Sequence, residues 1–203
     1  MIKIIDYGLG NILAFQNMYK RLNVAVGIAK TADDLQGATR LILPGVGAFD
    51  HAMERLEASG MRARLDELVL GEQMPVLGIC VGMQMLAERS DEGARPGLGW
   101  IPGEVRSFKS LNQPDLLLPH MGWNDVRPIA DHRLFADLMS DARFYFLHSF
   151  YFECTDPAHV AAVASYGKEF CCAVSAGQTL GVQFHPEKSH HFGAQLLKNF
   201  AEL

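Results

Sequence analysis

Apolar residues follow two alternating rhythms over the first half of this chain. "IKIID" (2–6), "VAVGIA" (24–29), "RLILPGVGAF" (40–49, a strand running into a glycine-rich turn) and "MPVLGI" (74–79) are short buried-strand patterns, whereas Ile12, Phe15, Tyr19 and Leu22 recur at helical spacing within residues 11–22. Residues 48–58 return to the helical pattern with Gly60 placed to cap it, and "TADD" sets Thr31 and Asp34 at capping-box spacing ahead of a short helix. Strand and helix taking turns predicts an α/β fold with a mostly parallel central sheet flanked by helices.

The rhythm changes near residue 100. Residues 100–127 predict short strands interrupted by Pro102, Pro114, Pro119 and Gly122; "ARFYFLHSFYFEC" (142–154), "HVAAVASYG" (159–167), "FCCAVSAG" (170–177) and "QTLGVQFH" (178–185) then read as strands with few helices between them. The second half should therefore add antiparallel strands to the sheet, before a closing helix over residues 190–202. Neither a repeat nor a low-complexity linker divides the chain, so a single domain over residues 1–203 is expected.

Composition narrows the function classes. The 203 residues are 49% hydrophobic and 20% charged, as in ordinary soluble α/β proteins. No apolar run approaches the ~18 residues of a membrane span. "MIKIIDYGLGN" carries an acid at position 6 and reads as strand and turn instead of a targeting segment, so a cytoplasmic protein is expected. Net charge is −5 and the 18 basic residues are scattered, which argues against nucleic acid as a partner. Cysteines stand at 80, 154, 171 and 172 without a CxxC pair, and reduced thiols are the natural reading. Cys171 and Cys172 read as core strand thiols, with a redox pair as the alternative, since adjacent cysteines bridge poorly.

Cys80 stands apart. It lies at the carboxyl end of "MPVLGI", where ligands gather in a parallel sheet, and Gly78 and Gly82 leave room for a tight strand-to-helix turn that exposes a nucleophile above the sheet. A helix N-terminus contributes roughly 0.3 to 2 kcal/mol toward ionising a thiol there, which is too little alone, so a neighbouring base is required. The alternative is a buried structural thiol.

"GVQFHPEKS" (181–189) supplies the base. His185 sits at a strand's end, Pro186 pushes it into an extended conformation, and residues i and i+2 of an extended chain point the same way, so Glu187 can lie beside the imidazole. Nucleophile, base and orienting acid then follow as Cys80, His185 and Glu187. His185, Glu187, His190 and His191 also form a ligand-rich cluster, but neither H-E-x-x-H nor the P-C-x-x-C of zinc deaminases accompanies it, so no metal and no cofactor is expected. Acyl chemistry needs oxyanion donors, and the candidates are the backbone amide of Val81 and a second one from Val46 or its glycine neighbours in "LPGVGAF", although "PGVG" taken alone is better explained as a plain tight turn.

Taken in order, "PGVGAF", "GICVGMQ" and "GVQFHPEKS" resemble the class I, triad-type glutamine amidotransferases over essentially the whole chain. The resemblance implies that Cys80 attacks the carboxamide carbon of glutamine, that His185 shuttles the proton and that Glu187 orients it. It also implies that Gly47, Gln84 and the segment His148, Ser149 and Phe150 hold the substrate; Gln84, four residues after Cys80, falls on the same face of the predicted helix. "IIDYGLGN", "PHMGWN", "FYFLHSFYF" and "EKS" further resemble the amidotransferase subunits of imidazole glycerol phosphate synthases. Val81, where leucine is commoner, and "HH" after "EKS" are the mild departures.

No residues remain for a synthase that consumes the ammonia, so a separate partner is implied; in the resembled family it is a TIM-barrel cyclase forming a heterodimer. Asn11, Met121, Trp123, Asn124 and Lys188 are the candidates for the docking face, Trp123 foremost because tryptophan is enriched at interface hot spots. A glutaminase of another amidotransferase complex, a stand-alone cysteine hydrolase and a non-catalytic domain that keeps the fold are the rival readings.

Overall fold

The computed structural model describes residues 1–129, 131–138 and 141–203. The first half runs β1 (Ile2–Ile5), α1 (Ile12–Arg21), β2 (Val26–Ala29), β3 (Arg40–Gly45), α2 (Phe49–Ala58), α3 (Arg62–Asp66), β4 (Val76–Cys80) and α4 (Val81–Gln84). The second half is strand-rich: β5 (Arg89–Ser90), β6 (Gly103–Ser107), β7 (His120–Asp125), β8 (Arg127–Pro128), β9 (Arg143–His148), β10 (Phe150–Cys154), β11 (Val160–Tyr166), β12 (Lys168–Ala176) and β13 (Thr179–Val182), closed by α5 (His190–Glu202). Among the described residues no helix is long and apolar enough to cross a membrane.

The large sheet runs β2-β1-β3-β4-β13-β12-β10-β6-β5, with β11 on the other edge of β12. Neighbours from β2 to β13 are parallel. From there β12, β10 and β6 pair antiparallel, so the sheet is the parallel core with antiparallel additions that the sequence pattern predicts. β4 is buried along its whole length and Leu41, Ile42 and Leu43 of β3 have no exposed surface, as strands covered on both faces require. α1 turns Phe15 and Tyr19 inward and carries Lys20 and Arg21 in its last turn, where positive charge suits the helix dipole. Ahead of β3, the Asp34 carboxylate accepts from the Thr31 amide at 2.9 Å and Thr31 Oγ1 accepts from the Asp34 amide at 3.4 Å; this capping box opens only a 3-10 turn, Asp33–Leu35.

One expectation needs correction. Residues 142–154 do not form one strand. β9 buries Phe144, Phe146 and His148, then the alternation slips phase so that β10 buries Tyr151 and Phe152. A phase slip turns side chains to the other face, and here the chain changes sheets at Ser149: β9 pairs with β7, while β10 joins β6 and β12. The helix after Cys80 is a single turn, Val81–Gln84. The Met85, Leu86 and Ala87 carbonyls accept from the amides of Leu98, Ile101 and Gly99, so a crossing loop takes the acceptors that a continuing helix needs.

Candidate active site

β4 and β13 are parallel neighbours with Ile79 opposite Val182, so their carboxyl ends emerge side by side. Cys80 is the last residue of β4 and His185 follows β13 by three residues. The Cys80 backbone has φ +56° and ψ −115°, a region that L residues rarely occupy and that costs of order 1–3 kcal/mol. The glycines make the turn possible. A Cβ on Gly78 would lie 2.6 Å from the Gly82 carbonyl oxygen, and one on Gly82 would run into the Leu43 carbonyl oxygen.

His185 is fixed from three sides. Its amide donates to the Tyr145 carbonyl on β9 at 2.8 Å, and the buried Ser189 hydroxyl donates to the His185 carbonyl at 2.6 Å while accepting from the Tyr145 amide at 3.0 Å. Glu187 Oε1 lies 2.9 Å from His185 Nδ1, with the two side chains 2% and 5% exposed. The route to this contact differs from the extended i, i+2 geometry expected from the sequence. His185 is extended, but Pro186–Lys188 forms a 3-10 turn closed by the Lys188 amide on the His185 carbonyl. Proline at the first position of a helical turn is pre-set for it, and the turn swings Glu187 back onto the ring. Burial works against a charged imidazole here; the hydrogen bonds and negative charges of Cys80 and Glu187 outweigh it and hold His185 far above its usual value, at about 10. An imidazole so placed beside a thiol can carry a proton to and from a reacting group.

Cys80 and His185 open into a cleft of about 300 Å³. Val46 and Gly47 from the turn after β3, Val81 and Gln84 after the elbow, and His148, Ser149 and Phe150 at the junction of β9 and β10 line it. Gln84 is 2% exposed, and its Nε2 donates to Gln183 Oε1 at 3.0 Å and to the Phe150 carbonyl at 3.4 Å. A larger cavity of about 750 Å³, lined by Val126, Phe135 and Leu138 among others, holds no thiol.

Several residues here escaped the sequence reading. Glu92 lines the cleft, with its carboxylate accepting from the Phe49 amide at 2.9 Å; an acid in the loop "SDEGARPG" just after the elbow was the available signal. Behind Phe150, His148 Nδ1 donates to the Phe150 carbonyl at 2.7 Å, which leaves His148 Nε2 to accept from His120 Nδ1 at 2.8 Å. His120 Nε2 then accepts from Asn124 at 3.2 Å. Burial pushes His120 down to about 4 and His148 down to about 3, so both rings are neutral. The two face each other across the β7–β9 pair, a long-range match that only the fold reveals.

The docking candidates divide by strand alternation. Met121 and Trp123 stand on the exposed face of β7, 65% and 40% exposed, beside Leu147 of β9. Half-buried Asn124 is turned to the opposite face, where its amide also donates to the Ser165 carbonyl at 2.8 Å. Lys188 is exposed with its ammonium 5.5 Å from the Tyr145 ring centre, and exposed Asn11 precedes α1. His190 stacks on Trp123 with ring centres 5.3 Å apart, and His191 lies against Phe192. Among the described residues no three metal-ligating side chains gather. All four cysteines are free thiols; Cys171 and Cys172 are buried in β12.

The family described as "Glutamine amidotransferase class-I" matches residues 3–203. A protein of Bdellovibrio bacteriovorus named imidazole glycerol phosphate synthase subunit HisH is 63% identical over the full length of both chains, and one of the same name from Leptospira interrogans is 50% identical, again over both full lengths. Among solved structures, one described as a glutamine amidotransferase superposes with a TM-score of 0.76 at 19% identity, covering 99% of this chain and 97% of that one. The PurLQS structure from Thermotoga maritima gives 0.74 at 17%, with the same coverage. These two share the fold.

Proposed function

The chain belongs to the class-I glutamine amidotransferases, and from that premise we propose that it is the glutaminase subunit of an imidazole glycerol phosphate synthase, acting as one domain in the cytoplasm. The observation that carries the reading is the convergence of Cys80 and His185 in one cleft at the ends of two adjacent parallel strands, with Glu187 held on the far nitrogen of the imidazole.

Glutamine enters with its side-chain amide at Cys80. Glu92 pairs with the α-ammonium group, the Gln84 carbonyl oxygen accepts from the same group, and Gly47 with the Ser149–Phe150 segment takes the α-carboxylate. The Cys80 thiolate attacks the carboxamide carbon, and the negative oxygen is met by the amides of Val81 and Val46, each such donor contributing about 3 to 4 kcal/mol in the transition state. His185 gives its proton to the departing nitrogen, ammonia leaves, and a γ-glutamyl thioester remains. Water then attacks that thioester while His185 takes back a proton; glutamate leaves and the thiolate returns. Glu187 keeps the imidazole oriented through both proton transfers.

The relatives are named as subunits, and an exposed apolar rim of Met121, Trp123 and Leu147 borders the cleft. This rim, with Lys188 and Asn11, supports docking of a cyclase of TIM-barrel type that takes up the ammonia; Asn124 braces β7 from beneath. The test is Cys80→Ala in complex with the cyclase. Glutamine-dependent synthesis should vanish while synthesis from ammonium salt persists. Full glutamine-dependent activity in that variant would overturn the proposal.

A further inference from the structure

Gln183 is a fully buried polar side chain at the site to which the proposed mechanism gives no part. It has no exposed surface, and it sits between Gln84 and the nucleophile. Which end of its amide faces the sulfur decides whether it helps or hinders a thiolate. The surrounding bonds settle this without reference to either amide's assigned orientation.

The Phe150 carbonyl can only accept. It accepts from His148 at 2.7 Å, and the Gln84 amide 3.4 Å away must therefore turn its NH2 toward it. The same NH2 group has its second hydrogen directed at Gln183, 3.0 Å off, so Gln183 must present its oxygen there. Its own NH2 is then left on the far side, 3.8 Å from Cys80 Sγ. A backbone carbonyl thus imposes, through two amides in series, that the sulfur meets a donor. Hydrogen bonds to a charged acceptor are about twice as strong as neutral ones, so this donor favours the thiolate over the thiol.

We propose that Gln183 is a catalytic residue that donates a hydrogen bond to the Cys80 thiolate, with its orientation dictated by the Phe150 carbonyl through Gln84. Substrate-holding and nucleophile activation are joined by this arrangement, because Gln84 is common to both. The inference rests on the reading of Cys80 as the nucleophile.

The experiment follows Cys80 alkylation by iodoacetamide in the intact protein, with the labelled peptide quantified by mass spectrometry at about pH 7 and again at about pH 10, above the range of an ordinary thiol. Gln183→Met, which keeps apolar volume and removes the donor, should slow Cys80 labelling about tenfold or more at the lower pH and leave it near the native rate at the higher one. kcat should fall with it, and KM should change less. Where Gln183→Met does not fold, Gln183→Leu, which also removes the donor without adding a charge, is read the same way. A purely structural role predicts an equal change at both pH values, and native labelling at about pH 7 would likewise overturn the inference. Cys80→Ala separates the two levels. If that variant still hydrolyses glutamine, the reading of the site fails; if it is inactive while Gln183→Met labels like the native protein, only the role of Gln183 fails.

Discussion

Glu187 Oε1 lies 2.9 Å from His185 Nδ1, and no donor among the described residues reaches its buried second oxygen, so the carboxylate's charge is directed at the imidazole alone. Replacing it tests how much of the His185 charge depends on that contact. In Glu187→Gln the His185 pKa should fall from its raised position of about 10, read by NMR of the ring, and kcat should drop about a hundredfold. The loss is smaller than for serine triads because a thiolate is intrinsically the better nucleophile.

The sign of the linked stability effect follows from the same shift. A group whose folded pKa is raised contributes fully below its ordinary value, near ~6.5, and the contribution is lost as pH rises through about 10. The urea midpoints of the native protein and of Glu187→Gln should therefore differ most below about pH 6.5 and converge as pH rises through about 10. A gap that widens with rising pH would contradict the assignment.

Ser189 ties β9 to the catalytic loop by donating to the His185 carbonyl and accepting from the Tyr145 amide. Ser189→Ala leaves both groups without that partner at a position with no exposed surface, so a loss of about 1–3 kcal/mol in unfolding free energy is expected. The freed loop should lower kcat more than it raises KM. Unchanged stability would show that the hydroxyl is dispensable.

Which of these features could be read from the chain depends on how local their physics is. Cys80 was legible because Gly78 and Gly82 encode a close crossing within five residues, and the His185–Glu187 pair because both members share one turn. The second half of the chain was legible as strands but not as two sheets, since the switch at Ser149 is only a one-residue slip of phase between Phe146 and Tyr151. Gln183, Glu92 and the His120–His148 contact were not legible. Each acquires its role from partners dozens of residues away, and each alone looks like an ordinary polar residue.

His120 and His148 carry the opposite sign of pH dependence from His185. Burial depresses both, to about 4 and about 3, so their contribution to stability is present above ~6.5 and is lost as pH falls through those values. Acid unfolding should take up as many as two extra protons, each adding about 1.4 kcal/mol per pH unit to the slope of stability against pH. The double variant His120→Asn, His148→Asn should flatten that slope between about pH 6.5 and 4. An unchanged slope would mean that the rings are already charged.

Trp123 offers a large exposed ring on β7, braced by stacking on His190. Trp123→Ala should weaken binding of the cyclase by about 30-fold or more, as removal of a hot-spot aromatic does, while glutamine binding to the isolated chain stays unchanged. Titration calorimetry of the two subunits measures this. Native affinity in the variant would move the docking face elsewhere on the molecule.

The claim on which the rest depends is that the sulfur of Cys80 forms a covalent bond to the γ-carbonyl carbon of glutamine. Acid quenching during turnover, followed by intact-protein and peptide mass spectrometry, reads it directly. A γ-glutamyl group on the peptide containing Cys80, absent in Cys80→Ala and accumulating when water attack is slowed, is the predicted result. A glutamyl group on Cys154, Cys171 or Cys172 instead, or turnover with no covalent adduct on the chain, would contradict the account.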